Sequence, residues 1–249
     1  LAACCNQDEM VVKVSNNSDL DRENETVEIN WKDIKNMPPD SVIVFMGDEQ
    51  IPSQVVYEGK EEPQKLIFQV TLKAGQTQAF KVDKGSREEY ESKTFGRLVP
   101  ERFDDFAWEN DKIAYRTYGP ALEAKGEASN GLDVWVKSTD KLIINKWYKD
   151  DLAGIASYHE DHGEGLDYYS VGRTLGAGSM SPYVNDSIWL ANSFKDYKVL
   201  DNGPIRTSFQ LDYAPFNVNG KMMTESKVFS IDAGTHFNKI TQTFSESVT

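Results

Sequence analysis

The sequence predicts an all-β protein with a small first domain and a larger second one. Short runs of β-forming residues recur along the chain, and apolar and polar side chains alternate within many of them. Clusters of Pro, Gly and acidic residues, which favour turns, separate these runs. No segment shows the period of a long amphipathic helix.

The first part of the chain has the strand pattern of an immunoglobulin-like β-sandwich. The predicted strands are 11–14, 26–31, 41–45, 54–57, 65–70 and 78–82. The polar segment 83–89 predicts a linker. We therefore expect a small β-sandwich domain over 11–85 and a second domain over 95–249.

The second part also alternates with period two, which is typical of half-buried antiparallel strands. The alternating runs are 131–136, 205–213, 227–232 and 238–244, and short helical turns are predicted at 121–125 and 147–152. Only residues 245–249 follow the last of these strands. We therefore expect the second domain to lack its C-terminal part.

The charge of the chain argues against one class of partner. Asp and Glu number 40 against 27 Lys and Arg, which gives a formal charge of -13. Proteins that bind nucleic acid neutralise phosphates with a basic surface, so nucleic acid is not an expected partner. No apolar run approaches the length of about 20 residues that a membrane-spanning helix needs.

Both cysteines are adjacent near the start of the sequence, at Cys4 and Cys5. The pattern Leu-Ala-Ala-Cys over 1–4 matches a bacterial lipobox, in which the cysteine receives lipid, and acidic residues follow it. We therefore expect lipidation at Cys4, with 1–10 as lipobox and acidic tether. This predicts an extracytoplasmic protein that a lipid alone anchors to the outer membrane. The alternative is a chain end with incidental cysteines.

The densest polar segment is 158–164, which contains two of the three histidines. Histidine titrates near neutral pH and acts as an acid, a base or a ligand. The predicted catalytic residues are His159, Asp161 and Glu164, and their predicted substrate-binding neighbours are Tyr158 and His162. The alternative is a surface loop without a chemical role.

A metal site in the same segment is not favoured. The chemically suitable ligands are His159, Asp161, His162 and Glu164. Their spacing matches no defined zinc motif, and no cysteine is near. We therefore expect no cofactor.

A second polar cluster surrounds one tryptophan in 101–116. Arginine binds carboxylates, including those of uronic acids, through two parallel hydrogen bonds, and a tryptophan face can pack against a sugar ring. The predicted substrate-binding residues of this cluster are Arg102, Trp108, Glu109 and Arg116. The alternative is an internal network of ion pairs around a core tryptophan.

Two residues outside the clusters are further candidates for substrate binding. Arg173 lies between predicted turns, where it would position an anionic sugar, and His236 follows a predicted strand. An ordinary surface arginine and a hydrogen-bonded histidine at a strand end are the alternatives.

Several long motifs resemble a known family. They lie at 97–111, 113–122, 158–169 and 171–178, and include Arg-Leu-Val-Pro-Glu-Arg-Phe-Asp-Asp-Phe-Ala-Trp-Glu-Asn-Asp. Together they resemble domain-of-unknown-function family 4861, lipoproteins from polysaccharide-utilisation systems of Bacteroidota. The segments 202–206 and 230–236 are similar to mutarotases.

The resemblance implies a galactose-mutarotase-like β-supersandwich. Aldose epimerases and domains of several glycoside hydrolases and polysaccharide lyases share this fold. The glutamate base of mutarotases would lie in the C-terminal region that we expect to be missing, so it has no counterpart among the candidate residues. A shared fold does not fix the reaction.

Three hypotheses for the function remain open. The first is a carbohydrate-active enzyme of the glycoside hydrolase or polysaccharide lyase type, acting on an oligosaccharide that includes uronate. The second is a cell-surface protein that binds glycan without turnover. The third is a half-sandwich whose missing region supplies the chemistry. Carbohydrate is the expected ligand, with other polysaccharide-utilisation proteins as further partners.

Overall fold

The computed structural model describes residues 9–247, and this part of the chain is all-β apart from two short helices and two 3₁₀ turns. The all-β prediction is therefore confirmed. The chain divides into two compact units. Unit 1 comprises the described residues up to Ser92 with Gly203–Ile205, and unit 2 comprises Lys93–Asn202 with the described residues from Arg206 onward. Cys4 and its predicted lipid lie outside the described residues.

Unit 1 is a sandwich of two antiparallel sheets. Its strands are β1 (Met10–Ser15), β2 (Arg22–Asn30), β3 (Val42–Met46), β4 (Glu49–Ile51), β5 (Ser53–Val56), β6 (Lys65–Leu72) and β7 (Thr77–Lys84), with a 3₁₀ turn at Trp31–Asp33. The strand orders are β1-β7-β3-β4 and β2-β6-β5. Phe68 of β6 meets Phe80 of β7 with 5.0 Å between ring centroids, so the inward faces of the two sheets form one core.

The segment predicted as a linker is held against unit 1. Arg87 donates through Nη2 to the carbonyl oxygens of Pro39 and Val42, each at 3.0 Å. The backbone N–H of Glu88 donates to the Gln50 side chain at 2.9 Å. Unit 1 therefore continues beyond residue 85, because the Arg87 side chain satisfies backbone carbonyls of the sandwich and the Glu88 backbone donates to one of its side chains.

Unit 2 contains two larger antiparallel sheets and two short hairpins. Its strands are β8 (Thr94–Val99), β9 (Asp105–Asn110), β10 (Ile113–Thr117), β11 (Leu132–Lys137), β12 (Gly165–Asp167), β13 (Tyr183–Val184), β14 (Ser187–Ile188), β15 (Phe194–Asn202), β16 (Arg206–Tyr213), β17 (Phe216–Val218), β18 (Lys221–Met223), β19 (Glu225–Asp232) and β20 (Asn238–Phe244). The large sheets have the orders β12-β11-β10-β9-β8 and β15-β16-β19-β20.

The helices of unit 2 are α1 (Pro120–Glu123) and α2 (Ile144–Leu152), and a 3₁₀ turn covers Pro100–Arg102. They confirm the helical turns predicted at 121–125 and 147–152. Within the described part of the chain, no helix is long and apolar enough to cross a membrane.

The five-stranded sheet of unit 2 is covered on both faces. On one face Phe106 of β9 stacks on Phe209 of β16, with 4.1 Å between ring centroids. On the other face Trp135 of β11 packs against Tyr148 of α2 at 5.2 Å. Strand β9, which lies between β10 and β8, is consequently buried at every residue. A strand buried on both faces loses the alternation that marks a half-exposed strand.

Candidate functional site

Unit 2 contains a cavity of about 780 Å³ above Arg116 of β10. Residues within 118–129 and 167–173 form much of its wall. The histidine and the charged residues that line it are Arg102, Arg116, Glu127, His159, Asp167 and Arg173. Two lining tyrosines are open to solvent, with exposed fractions of 78% for Tyr168 and 41% for Tyr169. The volume is in the range of ligand-binding pockets.

Arg116 is buried at the base of the cavity and holds carboxylates from neighbouring strands. Its Nε donates to Asp133 Oδ2 of β11 at 2.7 Å, and its Nη2 donates to Asp167 Oδ2 of β12 at 2.9 Å. Asp105 of β9 lies farther away, with Oδ2 3.8 Å from Nη1. The strand register brings these groups together, since Arg116 lies directly opposite Asp133. Three aspartates therefore share one guanidinium.

This arrangement weakens the acidity of two of the aspartates. Burial raises the pKa of Asp105 to about 6, although the charge of Arg116 acts in the opposite direction. Burial also raises the pKa of Asp167 to about 6, and repulsion by Asp133 adds to this shift. A single guanidinium cannot balance three buried carboxylates. Asp167 consequently exchanges its proton close to neutral pH, as general acids and bases do.

His159 stands beside Asp167 on the solvent side of the cavity. Its Nδ1 lies 3.4 Å from Asp167 Oδ2, and 56% of its side chain is exposed. The ring of buried Tyr158 packs against the imidazole with 4.5 Å between centroids. The backbone N–H of Asp167 donates to the Tyr158 carbonyl at 2.9 Å, which fixes the segment carrying His159 to β12. His159 and Asp167 thus form an imidazole–carboxylate pair at the cavity.

Two arginines line the cavity without forming an ion pair to any Asp or Glu among the described residues, namely Arg102 and Arg173. Arg102 Nε donates to the Tyr158 hydroxyl at 3.2 Å, and its Nη1 is buried without a hydrogen-bond partner in the described chain. Arg173 donates through both Nη atoms to three backbone carbonyls and to Asn192 Oδ1. Arg102 therefore keeps N–H donors that have no acceptor among the described residues, whereas Arg173 uses its donors to hold the backbone at the rim of the cavity.

The structure thus brings together four of the predicted residues, namely Arg102, Arg116, His159 and Arg173. Predicted Tyr158 lies beneath them, where its hydroxyl accepts hydrogen bonds from Arg102 Nε and Arg116 Nη1. The cluster around Arg116 matches the alternative of an internal ion-pair network, although one side of that network faces the cavity.

Trp108 and Glu109 do not line the cavity. Trp108 is fully buried between the sheets, where its ring packs 4.9 Å from that of Phe209 and its Nε1 donates to Asn238. Glu109 is also buried, and it accepts hydrogen bonds from the first backbone N–H groups of α2 and from Lys137 Nζ. The prediction of sugar contacts is therefore wrong for both residues, since neither has a surface to offer.

Four other predicted residues lie outside the lining of the cavity. Asp161 accepts hydrogen bonds from two backbone N–H groups of its own loop. Glu164 pairs with Lys146 Nζ at 2.5 Å. His162 lines a separate small recess beside α2, and His236 is exposed after β19, where its carbonyl accepts from a tyrosine hydroxyl. The loop glycines at 163 and 165 turn the chain, so His159 alone of this segment reaches the cavity.

Within residues 9–247, no three His, Cys, Asp or Glu side chains are placed so that they could hold a metal ion. The four residues that the sequence offered as metal ligands lie in different surroundings. Asp161 and Glu164 have the partners described above, and His159 faces Asp167.

The site residues predicted from the sequence did not include Asp105, Asp133, Asp167, Tyr168 or Tyr169. The last three follow the histidine-rich segment directly, as Asp-Tyr-Tyr at 167–169. The position of Asp167 between a glycine turn and two tyrosines is the feature of the sequence that could have indicated a ligand site. Asp105 and Asp133 gave no such signal, because only strand pairing brings them to Arg116.

Comparisons with known proteins agree on the extent of the match. The model of a family described as "Domain of unknown function (DUF4861)" matches residues 14–249. "Uncharacterized protein P7" of Formosa agariphila is 36% identical over 256 residues. The match covers 96% of this chain but 65% of that relative, so the chain spans less than two thirds of the relative's length. A solved structure described as a protein in the Glycosyl Hydrolase Family 38 from Enterococcus faecalis aligns with a TM-score of 0.49 and 12% identity, over 96% of this chain and 32% of that chain.

Proposed function

This chain belongs to the DUF4861 family, and we propose that its cavity binds an oligosaccharide containing an acidic sugar and acts on it. The reaction would be of the glycoside hydrolase or polysaccharide lyase type. One observation carries the proposal. A single cavity combines exposed tyrosine faces, a guanidinium with unused donors and an imidazole–carboxylate pair.

The binding half of the proposal rests on the tyrosines and on Arg102. Tyr168 and Tyr169 offer flat apolar faces for sugar rings while the sugar hydroxyls stay solvated. Arg102 lacks an ion-pair partner among the described residues, so it would gain a charge-assisted bond from the carboxylate of a uronic acid. These contacts favour an acidic sugar over a neutral one.

The chemical half rests on His159 and Asp167. Their contact of 3.4 Å lets the carboxylate orient the imidazole, and the exposed His159 side chain lines the cavity that substrate would occupy. The raised pKa of Asp167 places its proton exchange near physiological pH. The pair therefore suits proton transfer to or from a sugar.

A protein that only binds glycan is the second candidate. The observation that favours it is the large exposed surface of Tyr168, which would retain a sugar without any proton transfer. The length of the relative also leaves room for reacting groups outside this chain. Turnover separates the two candidates.

The test compares His159→Ala with His162→Ala, two exposed histidines three residues apart in one loop. Only His159 lines the cavity, so we expect His159→Ala to lower turnover of an acidic oligosaccharide by about 100-fold or more, the usual scale for a lost general acid or base. His162→Ala should keep turnover within about two-fold. Both variants are assayed by chromatography of the products, and binding is measured by calorimetry.

Equal loss in both variants would contradict a role specific to His159. Binding without turnover in the parent chain would select the second candidate. The lipid anchor at Cys4, the outer-membrane location and further polysaccharide-utilisation partners stay predictions.

A further inference from the structure

Glycoside hydrolysis requires a pair of carboxyl groups, and the described residues that line the cavity offer two acids in very different surroundings. Hydrolysis of that kind places two carboxyl groups about 5 to 9.5 Å apart on either side of the scissile bond. The acids in the lining are Asp167 and Glu127. Asp167 is buried and bound to Arg116. Glu127 is exposed after α1, and no described residue bonds its carboxylate.

The cavity does contain a histidine beside a carboxylate. Nδ1 of His159 faces the Asp167 carboxylate at 3.4 Å, and this neighbour stabilises a proton on Nδ1. Neutral imidazole carries one ring proton, so Nε2 then bears the lone pair. The side chain is 56% exposed and lines the cavity, so we expect Nε2 to be the nitrogen that meets a substrate C–H.

A cation for the substrate carboxylate is also present. Removing the proton beside a uronate carboxylate builds negative charge on that carboxylate. A guanidinium bound to it stabilises this charge. Arg102 forms no ion pair to an acid of the described chain, unlike Arg116, which holds Asp133 and Asp167. Arg102 is therefore the available partner.

We infer that the site cleaves a 4-linked uronic acid by β-elimination, with His159 as base and Arg102 on the uronate carboxylate. This rests on the proposed function, since it names the substrate and reaction of the same cavity. Nε2 of His159 takes the proton from C5, and the electron pair of that C–H bond forms the C4–C5 double bond. The C4–O4 bond breaks with its electrons on O4, and O4 takes a proton from water or from the phenol of Tyr169.

The experiment incubates the full chain with 4-linked oligouronates and follows two products. Elimination yields one ultraviolet-absorbing unsaturated uronate for each new reducing end, and we expect this one-to-one ratio. Neutral oligosaccharides made by reducing the carboxyl groups should not be cleaved. His159→Ala and Arg102→Gln should each lower the rate by about 100-fold or more. Arg22→Gln, an exposed arginine in unit 1, is the control and should keep the parent rate.

The outcomes separate this inference from the proposed function. New reducing ends without ultraviolet absorbance would mean hydrolysis, which overturns elimination and leaves the proposed function standing. Cleavage of the carboxyl-reduced substrate at the parent rate would also overturn elimination, since no uronate would be needed. Binding of oligouronates without any cleavage would overturn elimination and select the glycan-binding candidate. Absence of binding to every oligosaccharide would overturn both.

Discussion

Tyr168 is the most exposed aromatic side chain in the cavity, and its role is testable by truncation. We expect Tyr168→Ala to weaken binding of an acidic oligosaccharide about 3- to 10-fold, because a stacked aromatic ring contributes about 0.5 to 1.5 kcal/mol beyond its buried area. Tyr183→Ala is the matched control, since Tyr183 is 65% exposed on the β13–β14 hairpin and does not line the cavity. Calorimetry measures both affinities, and equal weakening would contradict a specific stacking role.

At the scale of elements, helix α2 depends on a charge supplied by strand β9. Ile143, at the start of α2, has no side chain that caps it, and Glu109 accepts hydrogen bonds from the N–H groups of Ile143 and Ile144 at 2.8 Å. The same carboxylate pairs with Lys137 Nζ, whose side chain has no exposed surface. Glu109→Gln leaves that lysine without its counter-ion. We therefore expect a loss of about 3 kcal/mol or more in the free energy of unfolding, measured by denaturant titration.

Two further variants test whether the loss of stability comes from the unpaired buried charge of Lys137. Glu164→Gln removes the exposed ion pair to Lys146 of α2 and should cost less than about 1 kcal/mol. The double variant Glu109→Gln/Lys137→Met should recover part of the single-variant loss, because no buried charge remains unpaired. A double variant as unstable as Glu109→Gln alone would contradict the charge explanation.

At the scale of the whole molecule, the buried aspartates make stability depend on pH. Burial raises the pKa of Asp105 to about 6, against a value near 3.9 in an unfolded chain. The folded state therefore binds a proton more tightly, and this contribution to stability is present below pH about 4 and lost as pH rises through about 6. The charges around Asp105 are Arg116, Arg102 and Asp133. The pKa of Asp167 is raised as well, so its contribution to stability also declines as pH rises.

Asp105→Asn removes that titration. We expect the decline in unfolding free energy between pH 4 and 6.5 to become smaller by about 2 to 3 kcal/mol, since each pKa unit corresponds to about 1.4 kcal/mol. Denaturant titration across this range measures it, with exposed Asp140→Asn as the control. An unchanged decline in Asp105→Asn would show that the carboxyl does not titrate as its burial indicates.

The sequence determined the strands that keep one face in solvent. β20 alternates half-buried and exposed residues over Asn238–Phe244, and β19 alternates buried and half-buried residues over Glu225–Asp232. Such a pattern is local, because each side chain points to the face opposite its neighbour. The sequence did not identify β9 as a strand. Other elements of the fold cover both faces of β9, so its residues do not alternate between apolar and polar. β9 also carries charged residues whose ion-pair partners lie on other strands.

The candidate site also has a part that the sequence predicted and a part that it did not. Sequence alone identified His159 and the arginines, since titratable and guanidinium groups are chemically distinctive in a run of residues. Only the tertiary structure decided which of them face a common cavity. Trp108 has the chemistry of a sugar platform, yet it is buried because it lies on a strand between two layers. Asp167 became the partner of His159 because β12 pairs with β11 and places its carboxylate beside Arg116. Composition records which groups a chain possesses, whereas burial and pairing across strands set their pKa and their accessibility.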